Sequence, residues 1–366
     1  VTFAEGLRWL SGLRESPGDD GGEIQSHTRV ISGKWLSEVL DSIRTPEADR
    51  AMESVLKSDL KTELRPYQVR GVAWLKALHH MRLGAILADD MGLGKTIQVL
   101  ALLLLRKSES RDRENIALLI VPASLIRNWK SEIDRFAPSL RCWIAHPSGH
   151  GLSRPPLAGF DIVITTYGCV ARVEWLSERC WDLIVADEAQ SIKNPSAKQT
   201  KAVKQLKSAH RIVLTGTPIE NHLLDLWSLF DFTSPGLLGT TKDFDGFIKR
   251  RTAGGESLYA SLRNLVRPYI LRRLKTDKSV ISDLPDKTEM KVYCSLSKGQ
   301  AVLYQKSVES LARDIQDVDG IKRRGVVLSY LMRFKQICNH PSHFVKDGKL
   351  LGSDSGKFMR LKEICE

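Results

Sequence analysis

The sequence predicts an α/β fold, a mostly parallel sheet with helices on both faces. Two observations carry this. Between residue 64 and about residue 232, short apolar runs bounded by turn residues alternate with helix-length amphipathic segments. That is the pattern of strand–helix–strand units whose strands are buried on both sides. The first such run, Ala85-Ile86-Leu87-Ala88, is followed by the glycine-containing turn Asp89-Asp90-Met91-Gly92-Leu93-Gly94 and then by an apolar, helix-prone stretch from Ile97. Strand, glycine turn and helix in that order open many such units, and ligands in these sheets bind beyond the strand carboxyl ends.

In chain order, residues 1–60 read as a helical lead-in, with a flexible loop at 18–22 and helical apolar spacing over 34–43 and 48–60. Candidate strands follow at 85–88, 117–121, 142–145, 161–165, 183–186 and 211–214, with amphipathic helices such as 124–136 and 197–206 between them. After Ser234-Pro235-Gly236 the chain becomes richer in charge, and 298–315 and 326–337 read as strong helices. A glycine–serine stretch at 352–356 precedes a fresh helical pattern. The expected division is a lead-in over 1–60, the α/β lobe over 61–240, a helical region over 241–350, and the start of another lobe over 351–366. No internal repeat or low-complexity tract is present.

Composition narrows the class. A chain of 366 residues has room for two domains with real cores, and its 42% apolar and 27% charged residues are ordinary for a globular protein. No apolar run approaches the roughly 18 residues of a membrane span. The chain starts Val1-Thr2-Phe3, without an initiator methionine or a signal peptide, and so reads as part of something longer. Cys142, Cys169, Cys180, Cys294, Cys338 and Cys365 show no C-x-x-C spacing. They are expected to be free thiols in a reducing compartment, the cytoplasm. A net charge of +12 favours a polyanionic partner.

The turn ends Gly94-Lys95-Thr96, the close of a phosphate-binding loop. Glycines let backbone N–H groups approach phosphates, and the following helix adds its positive dipole end. Lys95 is placed to reach the β- and γ-phosphates of ATP, and the Thr96 hydroxyl to ligate Mg²⁺. One departure stands out: the general pattern has glycine where this chain has Asp89. Asp187-Glu188-Ala189-Gln190 ends another apolar run. A carboxylate there suits Mg²⁺ held through water, and its neighbour suits activation of the attacking water. Gln68, in Leu64-Arg65-Pro66-Tyr67-Gln68, pairs a donor with an acceptor and is suited to an adenine edge. Thr215-Gly216-Thr217 follows a third strand and is placed to sense the γ-phosphate. Cys338, His340 and His343 could be taken for metal ligands, but they lack a partner C-x-x-C, and a helix end held by Asn339 and His340 is the preferred account.

LRPYQ, DDMGLGKT, LIVPASLIRNW, ITTYG, DEAQ, LTGTPIEN and LWSLFDFTSPGLLG occur in this order between residues 64 and 239. The set resembles the first motor lobe of Swi/Snf-type ATPases of helicase superfamily two, and LRR (271–273), DLP (283–285) and ICNHP (337–341) resemble that family's inter-lobe helical region. Residues 6–10 and 33–36 resemble the region before the motor in bacterial members. The resemblance implies a RecA-like P-loop NTPase lobe with helical protrusions. It also implies an ATP- and Mg²⁺-dependent motor that slides on double-stranded DNA without separating strands, acting on DNA-bound protein complexes. It makes Asp89 a family marker. It places Arg65, Gln68, Asp89, Met91, Gly92, Leu93, Gly94, Lys95 and Thr96 at ATP, and gives Gln190, Thr215, Gly216 and Thr217 a coupling role. Pro122, Ser124, Arg127, Asn128, Lys130, Thr165, Thr166 and Tyr167 face the DNA backbone. Gln190 stands where many relatives have histidine. The basic residues Lys249, Arg250, Arg251, Arg263, Arg267, Arg272, Arg273, Lys275 and Lys278 form a further candidate patch. Relatives complete the site with arginine fingers from a second lobe, so this chain alone is expected to hydrolyse ATP negligibly. Two other functions stay open: a strand-separating RNA or DNA helicase, and a nucleotide-gated DNA-binding scaffold without turnover.

Overall fold

A computed structural model of the protein describes residues 50–109, 115–154, 158–219, 222–251, 257–277, 290–316 and 319–366. The expected loop at 18–22 and helix at 34–43 lie outside these residues. The chain forms two compact units, 1–285 and 286–366. The expected boundary after residue 240 therefore falls inside the first unit, and residues 351–366 fall in the second unit with the helices before them.

The first unit is built on a seven-stranded sheet in which every pairing is parallel. Its strands are β1 (Ala85–Leu87), β2 (Ala117–Val121), β3 (Cys142–Ala145), β4 (Ile162–Thr166), β5 (Cys180–Ala186), β6 (Lys207–Leu214) and β7 (Ile270–Leu271), in the spatial order β3-β4-β2-β5-β6-β1-β7. The six expected strands all form. Four differ at their ends: β1 stops one residue earlier, β4 is shifted one residue later, and β5 and β6 begin earlier. The seventh, β7, pairs with β1 through Ile86↔Ile270 and Leu87↔Leu271. It was not anticipated, because two residues carry no readable periodicity.

Side chains on each strand alternate between two cores. One face buries Ala85, Leu87, Leu119, Val185 and Leu214 against α1 (Arg50–Asp59), α2 (Pro66–His80), α3 (Lys95–Glu109) and α4 (Ile126–Phe136). The other buries Ile86, Ile120, Ile184 and Val213 against the rest of the unit's helices, notably α5 (Tyr167–Val170), α6 (Glu174–Glu178), α7 (Lys198–Gln205) and α8 (Leu223–Thr233). Phe244 from α9 (Thr241–Arg251) and Leu262 from α10 (Ser257–Val266) join this second core. Burial on both faces explains why the strands read as continuous apolar runs.

The second unit is helical: α11 (Lys298–Asp314), α12 (Gly320–Asn339), α13 (Pro341–Val345) and α14 (Gly356–Cys365). Ser297 and Gln300 form a capping box at the start of α11. Buried Gln300 also donates to the Ile337 carbonyl at 2.7 Å and accepts from Gly356 N at 3.2 Å. His340 is fully buried; its Nδ1 accepts from Ser342 N at 3.2 Å and its Nε2 lies 2.9 Å from the Leu351 carbonyl. That is the helix-end role expected for it, and no metal-holding cluster exists among the described residues. The six cysteines are all unpaired. No described helix is long and apolar enough to cross a membrane.

Candidate functional site

The spatial order of the strands sets the site. β1, β5 and β6 are near neighbours, so the segments leaving their carboxyl ends meet on one rim: residues 88–96, 187–190 and 215–217. The segments after β2 and β4 leave the same rim further along the sheet.

The phosphate loop has the backbone its glycines permit. Gly92 and Gly94 have φ of +84° and +75°, values that disfavour side chains. A Cβ on Gly94 would also stand 2.4 Å from Gln68 Nε2. Half-buried Lys95 donates to the loop carbonyls of Asp89 at 2.7 Å and Asp90 at 3.3 Å. Burial lowers its pKa, and Asp89, Glu188, Asp187 and Asp90 act against that shift. An ammonium resting on neutral carbonyls in an acidic surround is one that phosphate oxygens can recruit. Thr96, in the first turn of α3, is half-buried, while Met91 is 70% exposed at the loop's tip.

Asp89 takes a different place from the one expected. It is fully buried, and its carboxylate is taken up by protein partners. Arg273 binds it in a bidentate pair, with Nε donating to Oδ1 at 2.9 Å and Nη2 reaching Oδ2. Gln98, also fully buried, donates to Asp89 Oδ2 at 3.3 Å and accepts from Arg273 Nη2 at 2.7 Å. Arg273 Nη1 donates to the Tyr67 carbonyl. Backbone bonds complete the clamp: Ala88 N to Leu271 O at 2.7 Å, and Asp90 N to Arg273 O at 3.1 Å. Gly71 is the residue α2 needs here, since a Cβ would sit 1.9 Å from Gln98 Oε1. Two corrections follow. Asp89 shapes the loop and offers no side-chain oxygen to a nucleotide. Arg273 leaves the basic patch, whose members Lys249, Arg263, Arg267, Arg272 and Lys275 are exposed; the Arg250, Arg251 and Lys278 side chains lie outside the described residues.

Arg65 and Gln68 stand at the start of α2. Gln68 Oε1 accepts from Arg65 N at 2.9 Å, and Nε2 donates to the Leu93 carbonyl at 3.3 Å. Gln68 is thus at the loop, with both ends of its amide engaged by protein.

The acid pair sits at the end of β5. Asp187 is 8% exposed; Oδ2 accepts from Trp129 Nε1 at 2.7 Å and Oδ1 from Glu188 N at 2.9 Å. Burial raises the Asp187 pKa, while the Trp129 bond and Lys95 oppose it. Glu188 occupies the left-handed region, φ 49° and ψ 56°, uncommon for a residue with a long side chain. Strain of this kind, of order 1–3 kcal/mol, clusters at functional sites. The donor set fits Mg²⁺ only as a partial shell: one buried carboxylate and one hydroxyl, Thr96. Mg²⁺ takes such sites by keeping waters and adding substrate phosphates.

Thr215 is fully buried, and its hydroxyl accepts from Thr217 N at 3.2 Å. A Cβ on Gly216 would lie 3.3 Å from Met91 Cγ, so this segment touches the phosphate loop. Lys193 Nζ ties the Thr217 carbonyl at 2.7 Å. Gln190 is exposed.

Among the expected DNA contacts, Ser124, Arg127 and Asn128 are exposed and Pro122 and Lys130 half-buried. Asn128 donates to Glu132 at 3.0 Å, and Lys130 pairs with Asp134 one turn on. Thr165, Thr166 and Tyr167 correct the expectation, because all three side chains are buried. Thr165 donates to the Ala145 carbonyl at 3.0 Å, Thr166 caps α5 by accepting from Cys169 N, and Tyr167 donates to the Asp187 carbonyl at 2.6 Å. β4 ends one residue later than expected, which turns this segment inward. Reading the sequence also missed Gln98, the link from Trp129 to Asp187, and the placement of Arg273. Trp129 and Arg273 both lie inside motifs noted there, LIRNW and LRR, so the signal existed without its geometry.

An all-parallel sheet with a glycine phosphate loop, an acid pair and a threonine segment on one rim defines a lobe of the P-loop, RecA-like class. The chain belongs to the family of the SNF2-related domain, which matches residues 67–343. It resembles the SWI2/SNF2 ATPase core of Sulfolobus solfataricus, solved in complex with double-stranded DNA, at 44% identity and a TM-score of 0.59; the match covers 84% of this chain and 64% of that one. Bacillus subtilis YwqA, provisionally named an ATP-dependent helicase/translocase, is 39% identical over 90% of this chain and 37% of its own length. The TATA-binding protein-associated factor mot1 of Aspergillus fumigatus is 37% identical over 92% of this chain and 19% of its own length. The chain thus spans well under half the length of these curated relatives.

Proposed function

We propose that this chain is the ATP-binding lobe of a motor that moves along double-stranded DNA and remodels protein–DNA complexes, working in the cytoplasm. The observation that supports it best is the meeting of Lys95, Thr96, Asp187, Glu188 and Thr215 on one rim, beside a helix whose exposed face carries Arg127 and Asn128. The likeness to a core solved with duplex DNA favours DNA as the polyanion.

In this reading the loop N–H groups and the α3 amino end bind the triphosphate. Lys95 leaves the Asp89 and Asp90 carbonyls for the β- and γ-phosphate oxygens. Thr96 and Asp187 would hold Mg²⁺, which would supply neutralising charge at the phosphates. Glu188 takes the proton of the attacking water. Thr215–Thr217, touching Met91, registers the γ-phosphate and passes the change to its neighbours. Arg127, Asn128 and Lys130 bind phosphates without reading bases. Full turnover draws on a second lobe beyond residue 366, so residues 1–366 alone bind ATP weakly and hydrolyse it negligibly.

The test is ATP hydrolysis by the full-length protein with duplex DNA, single-stranded DNA or RNA added. Duplex DNA is expected to stimulate most, with an affinity that falls steeply as salt rises. Equal stimulation by RNA, or release of a labelled strand from the duplex, would favour the strand-separating alternative and overturn this reading.

A further inference from the structure

Two aromatic residues on this rim do more than fill the core. Trp129 is 1% exposed, and its indole N–H lies 2.7 Å from Asp187 Oδ2. Tyr167 is 4% exposed, and its hydroxyl donates to the main-chain carbonyl of the same Asp187 at 2.6 Å. Trp129 comes from the helix proposed to meet the DNA backbone, and Tyr167 from the buried segment that ends β4 on the same rim. Trp129 sits on α4 between Asn128 and Lys130, and Tyr167 follows Thr166 at the end of β4. Asp187 is therefore gripped on its side chain by a buried residue of the helix that leads to the polyanion face, and on its main chain by a buried residue that ends β4. Its remaining side-chain bond, to Glu188 N, is local.

We infer that Trp129 is a positioning residue for the Asp187 carboxylate, and that with Tyr167 it carries DNA occupancy of the rim to the acid that holds Mg²⁺. This rests on the proposed function above. The physical route is short. An α-helix moves as a rigid rod, and a tryptophan with only two side-chain torsions, packed on all sides, moves with it. A hydrogen bond to a carboxylate is directional and charge-assisted, so a few tenths of an ångström at α4 change which Asp187 oxygen is free and where it points. Partners in this position, one bond behind a metal ligand, typically alter metal affinity or activity by about 10- to 100-fold when removed. The plainer account is that a buried indole N–H needs some acceptor, and Asp187 is the nearest. The two accounts separate when the N–H alone is removed.

The experiment uses the full-length protein and Trp129→Phe, which keeps an aromatic ring and loses the donor. Binding of a fluorescent ATP analogue is titrated against Mg²⁺, and duplex DNA affinity and stimulation are measured alongside. The expected result is an Mg²⁺ midpoint raised on the order of 10-fold, a reduced duplex-stimulation ratio, and DNA affinity within about 2-fold of the parent, since the indole touches no exposed surface. An unmoved midpoint together with an unchanged stimulation ratio would overturn the inference and leave Trp129 as core packing. If Trp129→Phe lowers the melting temperature too far to assay, Tyr167→Phe removes the second grip and is expected to shift both readouts the same way, by less. A parent protein that duplex DNA does not stimulate overturns the proposed function and the relay with it. The Mg²⁺ midpoint then still decides whether Trp129 positions Asp187.

Discussion

The two ends of the central sheet hold buried polar clusters of opposite character. At the carboxyl end, Lys95 rests on carbonyls, Glu188 is held in left-handed backbone, and a half-buried threonine hydroxyl stands ready. At the amino end, His79 and His210 share a hydrogen bond of 3.1 Å between their Nδ1 atoms, and His210 Nε2 lies 2.6 Å from the Leu83 carbonyl. The tautomers follow from the partners. His210 donates through Nε2 to Leu83, so its Nδ1 accepts, and His79 Nδ1 is the donor. Close by, Arg106 is paired with Asp182. The amino-end groups take one another and a main-chain carbonyl as partners, with Arg106 Nε alone of their polar atoms left buried without one. The carboxyl-end groups have partners that a phosphate or a cation can replace. Burial of polar groups does not mark a site by itself; replaceable partners do.

The largest expected effect tests the carboxyl end as chemistry rather than architecture. Glu188→Gln in the full-length protein is expected to cut DNA-stimulated hydrolysis by roughly 10²- to 10⁴-fold while leaving the melting temperature and ATP-analogue binding unchanged. Undiminished turnover would remove Glu188 from the reaction and favour the scaffold alternative. The next effect falls on the clamp. Arg273→Ala strands the fully buried Asp89 carboxylate and should cost about 3–5 kcal/mol of stability, read by denaturant unfolding. Arg273→Lys should recover little of it, because an ammonium cannot form the bidentate pair. Arg106→Ala at the other end should cost less, since its partner Asp182 is 30% exposed.

The third effect is confined to the amino end and is read against pH. Burial, with Arg106 adding to it, pushes His79 down to about 4, and burial together with the neighbouring His79 pushes His210 lower still. Both folded values lie below the unfolded value of about 6.5. Between pH 6.5 and 4 the unfolded chain therefore binds protons that the folded chain refuses, and stability falls as pH falls through that window. The loss should be on the order of 1–3 kcal/mol between pH 7.5 and 5, and His79→Gln should flatten it. A flat profile in the parent would mean that the histidine pair is not held neutral. The smallest effect is at the rim helix. Asp134→Ala frees Lys130 from an exposed pair and should change stability by less than about 1 kcal/mol. It should raise duplex DNA affinity a few-fold at low salt, and no change would remove Lys130 from the DNA face.

The sequence disclosed what is contiguous. The phosphate loop, DEAQ and LTGT each place a strand end and its chemistry side by side, so their meeting on one rim followed from the strand pattern alone. The histidine pair gave no sign, because His79 and His210 are isolated letters until the sheet brings them together. The outward role of Thr165–Tyr167 comes from the family resemblance, which carries no side-chain geometry. One more residue of β4 turned Thr166 into a cap and Tyr167 into a brace. Arg273 was read as surface charge because a two-residue strand shows no period and its partner lies 184 positions away.

The Asp89–Arg273 clamp has a consequence for how such chains diverge. Neither residue can drift alone: loss of the arginine leaves a buried charge, and loss of the aspartate leaves a buried guanidinium. Descendants of this sequence are expected to keep both or to replace both in one lineage. The phosphate-loop signature is then a single word written in two places, and a search confined to its first half overlooks the letters that give the first half its shape.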